Sequence, residues 1–166
     1  MYYKIDDFLS DWDFESQSTL KLLSALTNAS LNVKVTPEGR SLGYLAWHIV
    51  ISLGEMMNRT GLQVDSPPIE SDAPASAGEI RTAYEKSSLR LISEIRTKWN
   101  DDTLQMESDM YGEKWKNGVT LGALFTHQIH HRGQMTVLMR QAGLKVPGIY
   151  GPAREEWASM GMPPQR

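Results

Sequence analysis

The chain of 166 residues contains no cysteine. Disulfides, Cys-ligated zinc and Cys nucleophiles are therefore excluded. Any sulfur chemistry must use a thiol supplied from outside. No charge of one sign dominates either: 17 basic residues face 20 acidic ones, for a net charge of −3. That balance argues against a general polyanion binder, so no specific nucleic-acid binding is expected. No apolar run approaches the roughly 20 residues that a membrane span needs. The start, MYYKIDDFLSDWDF, turns acidic at once and has no signal-peptide core. A cytoplasmic location without membrane attachment is the expectation. No Gly-rich phosphate loop, nucleophile elbow, dinucleotide fingerprint, internal repeat or low-complexity tract is present.

What is there is ordinary in amount, with 40% hydrophobic and 22% charged residues, as in soluble globular proteins. The length suits a single domain over 1–166 with a proper core. The pattern is helical. Residues 6–27 predict a first helix, capped by Asp6 or Asp7, with Phe8, Trp12, Leu20, Leu23 and Leu26 on an imperfect apolar face. LNVKVTPEGRS breaks it, with Pro37 and Gly39 marking a turn. Ser41 caps a second helix, LGYLAWHIVISLGEMMNRT, ended by Gly61. It is apolar around much of its circumference, which predicts burial. QVDSPPIESDAPAS reads as a loop. A third helix runs from about Ser76 to Trp99, with Ile80, Tyr84, Leu91, Ile95 and Trp99 near helical spacing. DDTLQMESDMYGEKWKNG is either a β-hairpin or an ordered loop. Thr120 opens a fourth helix, LGALFTHQIHHRGQMTVLMRQA, stopped by Gly143. A short helix is expected at 153–159. The fold class is all-α, a four-helix bundle with a short C-terminal helix.

Histidine is scarce, yet three of the four lie within THQIHHRGQM, residues 126–135. Positions i and i+4 of a helix share a face. His127 and His131 have that relation, within the apolar stripe Leu124, His127, His131, Leu138. Two imidazoles one turn apart can grip one metal ion. His130 is turned about 100° from His131 and points elsewhere. His48 sits in the most apolar helix, between Trp47 and Ile49, and a facing helix can deliver it to the same spot. Taken alone, His48 reads most simply as a core histidine with its hydrogen bonds satisfied. Burying three imidazoles together, however, costs several kcal/mol unless something satisfies them, and a metal ion does so. Three neutral imidazoles would leave positions open for water or substrate, as in catalytic metal sites.

Other candidates carry less. Arg132 pairs with a neighbouring helix or, less simply, binds an anionic substrate. Gly133 reads as a site of close helix approach, hence tight packing or a dimer interface. Glu55 is two turns from His48, on the order of 10 Å along the axis, too far to share a metal, and reads as a solvated charge or charge partner. Trp12, Trp47, Trp99 and Tyr84 are core candidates. Tyr111, Tyr150 and Trp157 stand in loop-like contexts from which they can line a pocket.

Together, the histidine of LGYLAWHIV, the HQIHHRGQ string and the following KVPGIYGPAREEW resemble the DinB/YfiT-like superfamily over most of the chain. The resemblance implies a four-helix bundle, frequent homodimers and three metal-binding histidines, here His48, His127 and His131. It implies zinc or nickel as the divalent ion. It also implies a metal-dependent, S-transferase-like enzyme: the metal activates a low-molecular-weight thiol cosubstrate for transfer to an electrophilic small molecule. Two alternatives stand beside this reading. One is a metal-dependent hydrolase. The other is a non-enzymatic, stress-induced binding or scaffolding dimer.

Overall fold

A computed structural model describes residues 1–163. Four long helices, α1 (Ile5–Ser24), α2 (Leu42–Met57), α3 (Ala77–Lys98) and α4 (Asn117–Gln141), form the bundle. α2 packs on α3 and α4, and α1 packs on the same two helices. Around the bundle the order is therefore α1, α3, α2, α4. The chain crosses the bundle between α1 and α2 and again between α3 and α4. That crossing makes α2 and α4, far apart in sequence, direct neighbours.

Each helix buries the residues that its periodicity selects. On α1 these include Phe8, Trp12, Leu22 and Leu23, on α3 Ile80, Tyr84, Leu91 and Ile95. α2 buries twelve of its sixteen residues, which is why it shows no polar face. Trp12 and Tyr84 are fully buried, and Trp47 and Trp99 pack against the core from its edge. Ser41 and Ser76 cap α2 and α3 by accepting the backbone N–H of Tyr44 and Glu79.

Several boundaries differ from the sequence expectation, each for a local reason. Neither Asp6 nor Asp7 caps α1. The helix begins at Ile5, whose N–H donates to Asp101 Oδ1 at 2.9 Å from a distant segment. Asp6 and Asp7 sit instead in the first turn, where they favour the helix dipole. α1 stops at Ser24, because Thr27 caps the following 3₁₀ turn, Asn28–Asn32. The polar segment resolves as a hairpin, β1 (Glu107–Met110) against β2 (Glu113–Lys116), antiparallel with Met110 opposite Glu113. Its two-residue turn, Tyr111-Gly112, holds both φ angles positive, at 60° and 88°, as a type I′ turn demands. The hairpin runs directly into α4, which opens at Asn117 rather than Thr120. Asn117 is buried and ties that joint together: its N–H donates to Met106 O, its Nδ2 to Thr103 O, and its Oδ1 accepts from Ser108 Oγ. Gly143, at φ 73°, ends α4 as expected. The tail carries a 3₁₀ helix, Arg154–Met160.

One polar cluster crosses the core. Arg132 of α4 and Glu15 of α1 are both almost fully buried and form an ion pair. The guanidinium also donates to Glu15 O at 2.8 Å and Thr19 Oγ1 at 3.2 Å. Tyr150 of the tail closes the group, accepting from Arg132 at 2.7 Å and donating to Glu15 Oε1 at 2.5 Å. Arg132 thus binds a neighbouring helix, not a substrate anion. Gly133, beside it, is exposed, and a Cβ there would meet nothing within 4 Å. It permits no close helix approach within this chain.

Removing one member of a buried pair strands the other charge. Arg132→Met is expected to lower stability by about 3–5 kcal/mol, and adding Glu15→Leu to recover most of that loss. Urea unfolding of the three proteins decides the matter; a single variant as stable as wild type would contradict the pair's role.

Candidate metal centre

The α2–α4 seam brings His48, His127 and His131 together. His127 Nε2 stands 3.1 Å from His48 Nε2 and 3.1 Å from His131 Nε2. The three rings meet edge to face, with centroids 4.4–4.9 Å apart. One ring nitrogen from each lies within 4.8 Å of the other two. His131 is buried, His48 and His127 are half-buried. His130 is exposed and lies outside the cluster, touching only the edge of His131 at a centroid distance of 4.9 Å. The structure thus brings together the three histidines expected to meet and leaves His130 outside them.

Burial first, and nearby charges second, disfavour the protonated form of all three rings. Burial, then the neighbouring imidazoles, pushes His127 down to about 4. Burial, then His131 and Arg40, lowers His48. Burial also lowers His131; the Gln134 hydrogen bond works the other way, and His130 and Arg40 add to the lowering. Neutral imidazole is the form that ligates metal.

The donor set fits a divalent cation. Two imidazole nitrogens on one tetrahedral ion, at about 2.0–2.1 Å from it, stand about 3.3 Å apart. Two of the three nitrogen pairs are near that spacing. Without a cation, a proton on one nitrogen can satisfy only one neighbour, and His127 Nδ1 is already buried with no partner. His131 is better prepared: its Nδ1 meets Gln134 Oε1 at 2.8 Å. An amide oxygen only accepts, so Nδ1 carries the proton and Nε2 presents a bare lone pair.

Three further residues belong to the surroundings and escaped the sequence reading. Gln134 lies three positions after His131, the spacing at which helical neighbours meet. Tyr44 lies four before His48 and stacks on it, with centroids 6.1 Å apart and planes at 13°. Arg40 sits over the Tyr44 ring, 5.1 Å from its centroid. Counting turns from each histidine finds the first two; Arg40 lies before the helix, where that count does not apply. A cavity of about 330 Å³ adjoins the site, bounded by Val35, Arg40, Leu45, Gln134, Val137 and Leu138. Tyr111, Tyr150 and Trp157, the aromatics expected to line a pocket, do not border it. Tyr111 donates to Glu55 at 2.6 Å, and Glu55 also pairs with Arg59, so that carboxylate is a charge partner outside the three-histidine cluster, its charge opposing the lowering of His48.

A family model described as the DinB family matches residues 1–166. A Bacillus subtilis (strain 168) protein named uncharacterized protein YrdA is 45% identical over 162 residues, covering 98% of this chain and 97% of that one. A crystal structure of a DinB-like protein from Bacillus cereus ATCC 10987 superposes with a TM-score of 0.88 at 41% identity, over 90% of this chain and all of the other. A second DinB-like structure, YjoA from Bacillus subtilis, gives 0.68 at 18% identity, over 89% of this chain and 99% of the other, and shows the shared fold alone.

Single alanine variants test the cluster. His48→Ala, His127→Ala and His131→Ala are each expected to lose most bound metal, since two imidazoles make a poor chelate. His130→Ala should keep stoichiometric metal, with an affinity loss of at most roughly 10-fold. Metal content and affinity of the four purified proteins, with folding followed by circular dichroism, settle the assignment. Full metal in His48→Ala would remove α2 from the site.

Proposed function

The chain belongs to the DinB family, and from that premise we propose that it is a metal-dependent enzyme joining a low-molecular-weight thiol to an electrophilic small molecule. The single observation that carries the reading is the convergence of three neutral imidazole nitrogens from two helices. The proposed ligands are His48, His127 and His131. Zinc or nickel is the proposed ion, since imidazole donors suit both.

His48, His127 and His131 would hold the divalent ion, which would supply the Lewis acidity that lowers the pKa of a thiol. The chain's own residues prepare that chemistry. Three protein ligands leave room for an exogenous one. Gln134 fixes the His131 tautomer. Arg40, whose charge already disfavours protonated His48 and His131, favours an anion near the site. In the reaction the thiol proton passes to solvent, a sulfur–carbon bond forms, and the leaving group departs with its bonding electrons. The absence of cysteine fits a thiol brought from outside.

The same proposal includes one domain over 1–166, whose last three residues lie outside those described, and a homodimer. Support for the dimer is the exposed Gly133 of α4, where a Cβ would meet nothing within 4 Å and a second copy has room to approach. No helix among the described residues is long and apolar enough to cross a membrane. Sedimentation at micromolar concentration, where typical specific interfaces persist, is expected to give twice the 18.7 kDa chain mass. A monomer throughout that range would end the dimer proposal.

Turnover tests the chemistry. Zinc- or nickel-loaded protein with a saturating small thiol should form thioether from a reactive electrophile faster than the same thiol with free metal, and His127→Ala should remove the excess rate. No acceleration with any common bacterial thiol would defeat the transferase reading. Metal-dependent ester or amide hydrolysis without thiol would replace it with a hydrolase.

A further inference from the structure

Arg40 is exposed, forms no ion pair or hydrogen bond among the described residues, and stands over the Tyr44 ring at 5.1 Å. Such a contact holds a guanidinium in place while leaving its N–H donors free. The tyrosine that holds it stacks in turn on His48. Arg40 therefore stands two ring contacts from the three-histidine cluster.

The cavity beside it has one kind of wall and one kind of mouth. Val35, Leu45, Val137 and Leu138 make the wall apolar, while Arg40 and Gln134 supply the polar groups. Gln134 is itself tied to His131, so a residue that lines the cavity is hydrogen-bonded to the histidine cluster. Among the described residues, no carboxylate lines the cavity to neutralise Arg40. At about 330 Å³ it has room for a small organic molecule of several carbon atoms.

We propose that this cavity binds a small organic carboxylate, its anionic head on Arg40 and its apolar body between Val35, Leu45 and Val137, one end turned toward the histidines. Arg40 is then the residue that selects acidic substrates. The inference rests on the three-histidine site as reaction centre, and it names the class of molecule that site handles. A planar guanidinium pairs with a carboxylate through two parallel hydrogen bonds, which a neutral amide cannot reproduce.

Hexanoate and its neutral isostere hexanamide are suitable probes, titrated into ¹⁵N-labelled full-length protein, zinc-loaded and after chelator treatment. Hexanoate is expected to shift the amide signals of Val35, Gly39, Leu45, Gln134 and Val137, and to bind about 2–5-fold more tightly than hexanamide, the size of effect an exposed ion pair gives. Arg40→Gln should abolish the preference, Arg40→Lys should restore part of it, and Val137→Trp should exclude both probes by filling the cavity. None of these changes removes a proposed metal ligand or a buried side chain, so metal content should stay at the wild-type level. Equal binding of the two probes, shifts clustered elsewhere, or a preference surviving in Arg40→Gln would overturn the proposal. The outcome is independent of turnover: a carboxylate preference with no thiol reaction keeps the cavity and discards the transferase reading, while thiol turnover with no preference does the reverse.

Discussion

Everything in the fold that bears on function depends on one constraint: the α2–α4 seam must bury most of three imidazoles side by side without charging them. Protonated rings at 3.1 Å contacts would repel one another in a poorly solvated place. Burial in the apolar stripe and mutual repulsion both favour the neutral form, and His127 is accordingly pushed down to about 4. Neutral rings then present lone pairs that only a proton or a cation can satisfy. The apolar character of α2, often a sign of mere core, is here what makes the nitrogen cluster chemically unfinished.

The opposite side of α4 solves a different problem. His131 and Arg132 are consecutive, so about 100° of helix separates them. One turns to α2 and the cluster, the other to α1 and Glu15. A helix with polar groups buried on two sides cannot be positioned by oil-like packing alone. The Glu15–Arg132–Tyr150 group fixes its rotation against α1, and Gln128, donating to Ile49 O at 3.3 Å, fixes it against α2. Small rotations of α4 would open the nitrogen cluster, so these distant hydrogen bonds act on the site through its geometry.

The readable parts of the sequence were those governed by a single period. His127 and His131 follow from helical spacing, the caps Ser41 and Ser76 from local hydrogen bonding, and Gly143 from its left-handed φ. Their neighbour His48 needed the bundle order as well, because pairing α2 with α4 is a matter of topology. What escaped was polar and non-local. Glu15 looks like any surface glutamate until α4 brings Arg132 to it from 117 residues away. Asp101 starts α1 from across 96 residues, and no local pattern announces it. Asn117 draws α4 back from Thr120 through a joint that exists only once the hairpin has formed. Gly133 allowed two readings, close approach within the chain or between copies, and its exposed face removes only the first.

Arg40 raises the question of why a cation should stand near a site built for a cation. Magnitudes answer it. At a separation of about 10 Å in a water-like medium, a unit charge repels a divalent ion by roughly 0.8 kcal/mol, and physiological salt screens most of that. A carboxylate in contact with the guanidinium, by contrast, gains up to about 1 kcal/mol even at an exposed site. The comparison holds only if Arg40 stays exposed on the solvent side of Tyr44, as it does. Inside the seam the same residue would meet a low dielectric and repel the ion by several times as much. Placing the arginine before α2 rather than on it therefore separates two demands that conflict at short range: neutral rings for a metal ion, and a positive charge for an acidic molecule.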